Sequence, residues 1–183
     1  MQLIARDGEI YAHLFENTRA NLPRDLYWNI SVELEPVALL GEQWDTSFQC
    51  EWLVWPITTL GDLDGMGLEQ LRDSRLVEAS LYLVSEHHPV GISHLVVRRT
   101  FDGIYQLDVQ GDYDFEIDEQ RLCGSFHFLC KLDFGGIIVV PENLSPKPSN
   151  SLEVAAAVAP FISQVGLQEP RQDGFRYILK ASE

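Results

Sequence analysis

Hydrophobic and polar residues alternate almost without fault over residues 104–117, which read IYQLDVQGDYDFEI. Every second residue from Tyr105 to Ile117 is apolar or glycine, and the residues between them are glutamine, aspartate or glutamate. A period of two over this length predicts one long β-strand with a buried face and an acidic face. The acidic face of this strand is the only strongly marked surface in the sequence.

The neighbouring segments predict antiparallel partners for this strand. Asp102-Gly103 is a two-residue hairpin signal, and closing that turn places Val97 opposite Asp108 and His94 opposite Gly111. A second turn at Asp118-Glu119 gives a further set of pairs, in which Glu116 faces Arg121, Phe115 faces Leu122 and Asp108 faces Leu129. A four-residue turn at residues 87–90 adds one more strand. These pairings keep one face apolar and predict a four-stranded meander over about residues 76–134.

The rest of the chain predicts more strands and one helix. Residues 26–35 and 46–55 read as strands, and Asp7-Gly8 reads as another hairpin turn. Ser151 is a candidate N-cap for an apolar helix that lies buried on the sheet over about residues 151–165. We therefore predict one α+β domain over residues 1–183, predominantly antiparallel β. It has a meander sheet at about 76–140, N-terminal strands and one buried C-terminal helix.

The charge of the chain is strongly negative and uneven. The formal net charge is −15, from 28 Asp and Glu against 13 Lys and Arg. Residues 25–71 and 100–120 carry acidic side chains without a single Lys or Arg. Phosphate surfaces repel such a protein, so we expect no binding to nucleic acid or to an anionic membrane. Regional acidity also has a simpler explanation, which is solubility.

The N-terminal sequence, the distribution of apolar residues and the cysteines predict a cytoplasmic protein. The N-terminus lacks the basic and apolar regions of a signal peptide, and no apolar run has the length of a membrane span. Three cysteines, Cys50, Cys123 and Cys130, form no C-x-x-C pair and are odd in number. Free thiols in a reducing, bacterial-type cytoplasm explain this composition best.

Local catalytic motifs are missing from the sequence. It has no nucleophile elbow, no phosphate-binding glycine loop and no H-E-x-x-H pair. The group Glu86-His87-His88 with His94 has metal-ligand residue types, but the predicted strand directions point these side chains apart. Asp62-Leu63-Asp64-Gly65 matches only a fragment of a calcium loop. We therefore expect no metal and no cofactor.

The predicted acidic face also carries apolar side chains. The pairing above places Tyr82, Leu95 and Val97 among the carboxylates. Such apolar groups must be covered, either by the N-terminal strands or by a partner. The residues predicted to bind a partner are the carboxylates and these three side chains: Asp108, Asp112, Asp114, Glu116, Tyr82, Leu95 and Val97. Glu33 and Glu35 are candidates for additional charge.

Three function classes follow from these patterns. The leading hypothesis is a non-enzymatic binding protein that uses the acidic and apolar sheet face, as an immunity or inhibitor protein does against a basic toxin or enzyme. The first alternative is an enzyme or small-molecule binder with its site between sheet and helix. Its candidate residues are His94, Asp114, His127 and Cys123. The second alternative is a subunit of a homo-oligomer.

Overall fold

The computed structural model describes residues 2–39, 41–83 and 86–182. About 60 % of the chain is strand, and one short α-helix is present in the described part. The strands are β1 (Ala5–Asn17), β2 (Leu22–Leu39), β3 (Glu42–Leu53), β4 (Glu78–Leu83), β5 (Glu86–Arg99), β6 (Tyr105–Ile117), β7 (Gln120–Val139), β8 (Arg171–Asp173) and β9 (Arg176–Leu179). The helix α1 spans Ser151–Val158, and 3-10 turns occupy Thr18–Ala20, Leu60–Leu63, Leu68–Gln70, Ser74–Leu76 and Pro141–Asn143.

The predicted open meander is wrong, because strands β1–β7 close into a barrel. Each strand pairs antiparallel with the next, and β1 then pairs with β7. An up-and-down barrel with an odd number of strands begins and ends in the same direction, so this closing pair is parallel. Residues 8–14 of β1 pair with residues 132–139 of β7. The N-terminal strands therefore complete the barrel wall instead of forming a separate layer over the meander.

Gly8 occupies a close contact between strands and not the predicted hairpin turn. It pairs with Val32 of β2 and with Leu132 of β7. A Cβ atom at this position would lie 2.6 Å from Leu132 Cδ2 and 3.1 Å from the Lys131 carbonyl oxygen. Glycine is thus needed where β1 approaches β7, and the turn composition of Asp7-Gly8 was misleading.

The pairing of β6 with β7 is confirmed residue by residue. Glu116 faces Arg121 and Asp108 faces Leu129, as the alternation predicts. The pairing of β5 with β6 is shifted by one residue, so that Val97 faces Leu107. The cause is a longer turn, in which the Thr100 amide donates to the Ile104 carbonyl and Gly103 has a φ of +85°.

The predicted turn at residues 87–90 is also wrong. These residues belong to β5, and residues 86–89 pair with residues 80–83 of β4. The connection between the two strands falls at residues 84 and 85, outside the described part. Beyond this short pairing a loop lies beside β5: the Gly65 amide donates to the Val97 carbonyl, and the Val97 amide donates to the Met66 carbonyl.

Apolar side chains fill the barrel interior. Its buried cluster takes alternate residues from every barrel strand, and includes Trp28, Phe48, Leu95, Val109 and Phe128. The segment between β3 and β4 adds Trp55 and Leu63 to the same cluster. A filled interior leaves the outer wall and the two barrel ends as the surfaces available for function.

The C-terminal helix is shorter than predicted. α1 ends at Val158, before Pro160, and its N-cap is Asn150, whose side chain accepts a hydrogen bond from the Glu153 amide. Val154 and Val158 are buried with the barrel core, whereas Leu152 is exposed. No helix in residues 2–39, 41–83 or 86–182 has the length and apolar character needed to cross a lipid bilayer.

Candidate protein-binding surface

The barrel has two ends of different charge. Three hairpin connections, β2–β3, β4–β5 and β6–β7, lie at one end, which we name the acidic end. The other end, which we name the loop end, carries the remaining connections and the C-terminal segment. Ten carboxylates lie on or beside the three hairpins of the acidic end: Glu33, Glu35, Glu42, Asp45, Glu86, Asp112, Asp114, Glu116, Asp118 and Glu119.

Few positive charges offset this group. Among the described residues, only Arg6 and Arg121 accompany the ten carboxylates. Arg6 lies 3.5 Å from Glu35, and Arg121 donates two hydrogen bonds to Asp114. The other 11 Lys and Arg residues lie toward the loop end. The remaining 18 carboxylates of the sequence outnumber them by less than two to one, whereas the ratio at the acidic end is five to one. The acidic end therefore carries −8 of the net charge of −15 and has the higher ratio of acidic to basic side chains.

The predicted acidic strand face is the outer wall of β6. Asp112, Asp114 and Glu116 are exposed there and approach the acidic end along the strand. The paired Arg121 guanidinium lowers the pKa of the Asp114 carboxyl. Asp112 and Glu116 form no ion pair or side-chain hydrogen bond with another described residue. These two carboxylates are thus open to a partner from outside the chain.

Asp108 lies further from the acidic end and bridges two histidines. Its carboxylate is 3.5 Å from His94 Nε2 and 3.0 Å from His127 Nε2. The sequence analysis placed His94 on the buried face, and the shifted register moves it to the outer wall opposite Gln110. Asp108 therefore has two side-chain partners within the chain, unlike Asp112 and Glu116.

Two of the three predicted apolar contact residues lie inside the barrel. Leu95 and Val97 are 1 % and 0 % exposed, so the expectation that they belong to the surface is wrong. The one-residue shift in the pairing of β5 with β6 turns them inward, beside Val109 and Leu107. Apolar area on this wall comes instead from Leu129, which is 55 % exposed next to Asp108.

Tyr82 remains on the outer wall, at the acidic end. Its ring centroid lies 5.1 Å from that of His87. Tyr82 also lines a polar cleft of about 470 Å³ together with Glu33, Asp45 and Arg6. The cleft joins the acidic residues of β2 and β3 to the wall of β4.

The residues of the alternative site hypothesis do not lie between the sheet and the helix. His94, Asp114, His127 and Cys123 are all on the outer wall of β5–β7. Asp114 faces Cys123 across the strands, whereas the two histidines meet at Asp108. The structure thus brings the histidines together but leaves the other two candidates apart from them.

A group of polar side chains on the wall of β3–β5 has no counterpart among the residues predicted from the sequence. The Ser80 hydroxyl is hydrogen-bonded to His87 Nε2, and Ser80 is buried. Burial and the neighbouring Glu78 raise the pKa of Glu51, an effect that His87 opposes. The turn predicted at residues 87–90 gives β4 and β5 an incorrect register. The predicted pairing therefore does not place Ser80 beside His87.

Metal binding finds no support in the described residues. Within residues 2–39, 41–83 and 86–182, no three His, Cys, Asp or Glu side chains are arranged to hold an ion. His87 faces outward to Ser80, whereas His88 is buried and stacks on Phe115 at 4.4 Å. These adjacent histidines therefore point to opposite faces of β5.

Comparison of the chain with protein-family models, with curated proteins and with solved structures finds no match to any of them.

Proposed function

We propose that this protein is a non-enzymatic binding protein that engages a basic protein partner through the acidic end of its barrel. The observation that carries the proposal is the five-to-one ratio of carboxylates to cations at this end. Ten carboxylates and two arginines at one end create a negative field that draws and orients a positively charged partner. An immunity or inhibitor protein that covers the cationic cleft of a toxin or enzyme would use such a surface.

The contact residues are those that remain on this surface. Asp112, Asp114 and Glu116 supply charge from β6, and Glu33 supplies it from β2. Tyr82 supplies an amphipathic ring in the same cleft as Glu33, and tyrosine is a residue type enriched in protein interfaces. Cys50, Cys123 and Cys130 are free thiols, which supports our proposal of a reducing, cytoplasmic setting for this interaction.

The test is capture of a partner from the native lysate by the immobilised protein at low salt, followed by elution at high salt. We expect a basic protein to bind at low salt and to be released at high salt, because salt screens exposed charges beyond about 10 Å. The double variant Asp112→Asn/Glu116→Gln should weaken capture, since it removes two exposed carboxylates that lack a partner within the described chain.

The matched control removes the same charge from the loop end. Glu69 and Glu169 are exposed, and the variant Glu69→Gln/Glu169→Gln should retain the partner as the wild type does. Equal weakening by the two double variants would mean that only net charge matters, and the proposal of a specific acidic end would fail. Capture that both double variants and high salt leave unchanged would contradict it as well.

A further inference from the structure

A second surface of interest is a cleft at the loop end, far from the acidic end. It has a volume of about 520 Å³, within the range of small-molecule sites. Three segments form its walls: residues 59–61 before β4, the β5–β6 turn with the start of β6, and residues 165–166 with 181–182. Residues 131–134 of β7 also line it.

Hydrogen bonds hold each wall of this cleft in place. The Tyr105 hydroxyl donates to the Leu60 carbonyl at 2.7 Å, which ties the first wall to β6. Asp62 accepts hydrogen bonds from the amides of Thr58 and Thr59, and these bonds lower its pKa to about 2. The Ser182 amide donates to the Gly166 carbonyl at 2.8 Å in the third wall. The cleft is therefore preformed, so a ligand would not have to order it.

Arg99 supplies a positive charge to the cleft. Its Nε atom donates a hydrogen bond of 3.3 Å to the Gly103 carbonyl, and its guanidinium forms no ion pair with a carboxylate of the described residues. Lys131 is a second cation, and its contact with Asp133 is a long 3.5 Å between exposed side chains. Asp64 accepts a hydrogen bond from the backbone amide of Arg99 and not from its guanidinium, whose two terminal nitrogens have no hydrogen-bond partner among the described residues.

Apolar groups line the same cleft. Ile104, Phe134 and Val165 contribute to its walls. Val165 is 85 % exposed, which is a large exposure for an aliphatic side chain at the edge of a concave surface. A ligand with an apolar body would remove this side chain from contact with water, which is energetically favourable.

We propose that this cleft binds a small amphipathic carboxylate, with its carboxylate on Arg99 and its apolar body against Ile104, Phe134 and Val165. A planar guanidinium with free N–H groups binds a carboxylate through two parallel hydrogen bonds. Lys131 adds a second positive charge at the cleft wall. The proposal is independent of the acidic end, because the two surfaces lie at opposite ends of the barrel.

The experiment titrates octanoate and benzoate into the full chain by calorimetry, beside their neutral counterparts octanamide and benzamide. We expect saturable binding of at least one acid and weaker binding of its amide. Arg99→Gln should weaken acid binding by about tenfold or more, because it removes a charge-assisted hydrogen bond. Arg98→Gln is the matched control, since Arg98 pairs beside Gln106 on the outer wall and does not line the cleft.

A second measurement locates the ligand independently of the arginine variants. The amide NMR signals of Gly61, Gly103 and Gly166 should shift on addition of the acid, and Val165→Asp should suppress these shifts by repelling the carboxylate. No saturable binding of either acid would overturn the proposal. Equal losses in Arg99→Gln and Arg98→Gln, or shifts confined to other parts of the chain, would overturn it too.

Discussion

The two ends of the barrel have different structural roles. The acidic end carries the short strand connections and about half of the net charge with only two arginines, whereas the loop end is covered by long segments that add side chains to the core. Water surrounds the carboxylates of the acidic end and weakens the repulsion between them. At the loop end, the covering segments exclude water and bury apolar side chains. We therefore expect stability to depend mainly on the loop end, and the proposed recognition of a partner to depend on the acidic end.

The sharpest test of this comparison uses one tryptophan from each end. Trp55 is 1 % exposed, and its indole N–H donates to the Gly67 carbonyl at 2.9 Å. We expect Trp55→Ala to lower the free energy of unfolding by about 3–5 kcal/mol, because it leaves a cavity and an unpaired carbonyl. Chemical denaturation measures this change.

Trp44 at the acidic end is the matched residue for this test. Its indole N–H also donates to a backbone carbonyl, that of Leu39 at 3.2 Å, but its side chain is only half-buried. Trp44→Ala should cost about 1–2 kcal/mol, because less apolar area is lost. A loss at Trp44 as large as the loss at Trp55 would break the proposed division between the ends.

A second test concerns two adjacent histidines near the acidic end. The Nε2 atom of His88 is buried and has no hydrogen-bond partner among the described residues, and the ring stacks on Phe115. His88→Phe should raise the free energy of unfolding by about 1 kcal/mol, because it retains the stacking and removes the unpaired polar atom.

His87→Phe is the comparison variant, and we expect it to lower the free energy of unfolding. It removes the partner of the buried Ser80 hydroxyl and should destabilise the protein. Thermal unfolding of both variants measures the two changes. A destabilising effect of His88→Phe would show that the imidazole makes a favourable interaction at that position, contrary to the geometry.

The smallest expected effect is that of a half-buried carboxylate on the wall. Burial and Glu78 raise the pKa of Glu51 above its ordinary value of 4.5. The native state therefore binds a proton more tightly than the unfolded state, and ionisation of Glu51 destabilises the fold as the pH rises above this range. Glu51→Gln should stabilise the protein at pH about 7, and the gain should vanish below pH about 4.

Glu116 is the control for this prediction, because it is an exposed carboxylate of the acidic end. Glu116→Gln should change the free energy of unfolding by less than about 0.5 kcal/mol at either pH. Melting temperatures measured across the acid range test both variants. A gain from Glu51→Gln that persists unchanged at low pH would contradict an origin in ionisation.

Local patterns predicted the strands well, and long-range pairing only in part. The register of β6 with β7 follows from a strict alternation and a tight connection, and it is confirmed. The register of β5 with β6 depends on the length of the turn between them. The Asp102-Gly103 pair does not determine whether that turn has two residues or one more. That single residue changed the face assigned to His94, Leu95 and Val97.

Closure of the barrel could not be predicted from local patterns. The pairing of β1 with β7 joins residues more than a hundred positions apart, and no alternation within either strand specifies the other. The prediction of the site was limited for the same reason, because it also depends on contacts between distant residues. Glu33 and Asp112 belong to separate acidic segments, and they lie toward the same end because β2 to β6 form one continuous antiparallel series.

Closure by the first and last barrel strands also affects the order of folding. During synthesis, β1 is complete long before residues 132–139 leave the ribosome, so one of its edges stays unpaired over most of translation. Such contacts between distant residues slow folding, and an open strand edge promotes aggregation until it is covered. The nascent chain therefore depends on its last barrel strand for protection, and a chain cut before residue 132 would expose the edge of β1 permanently.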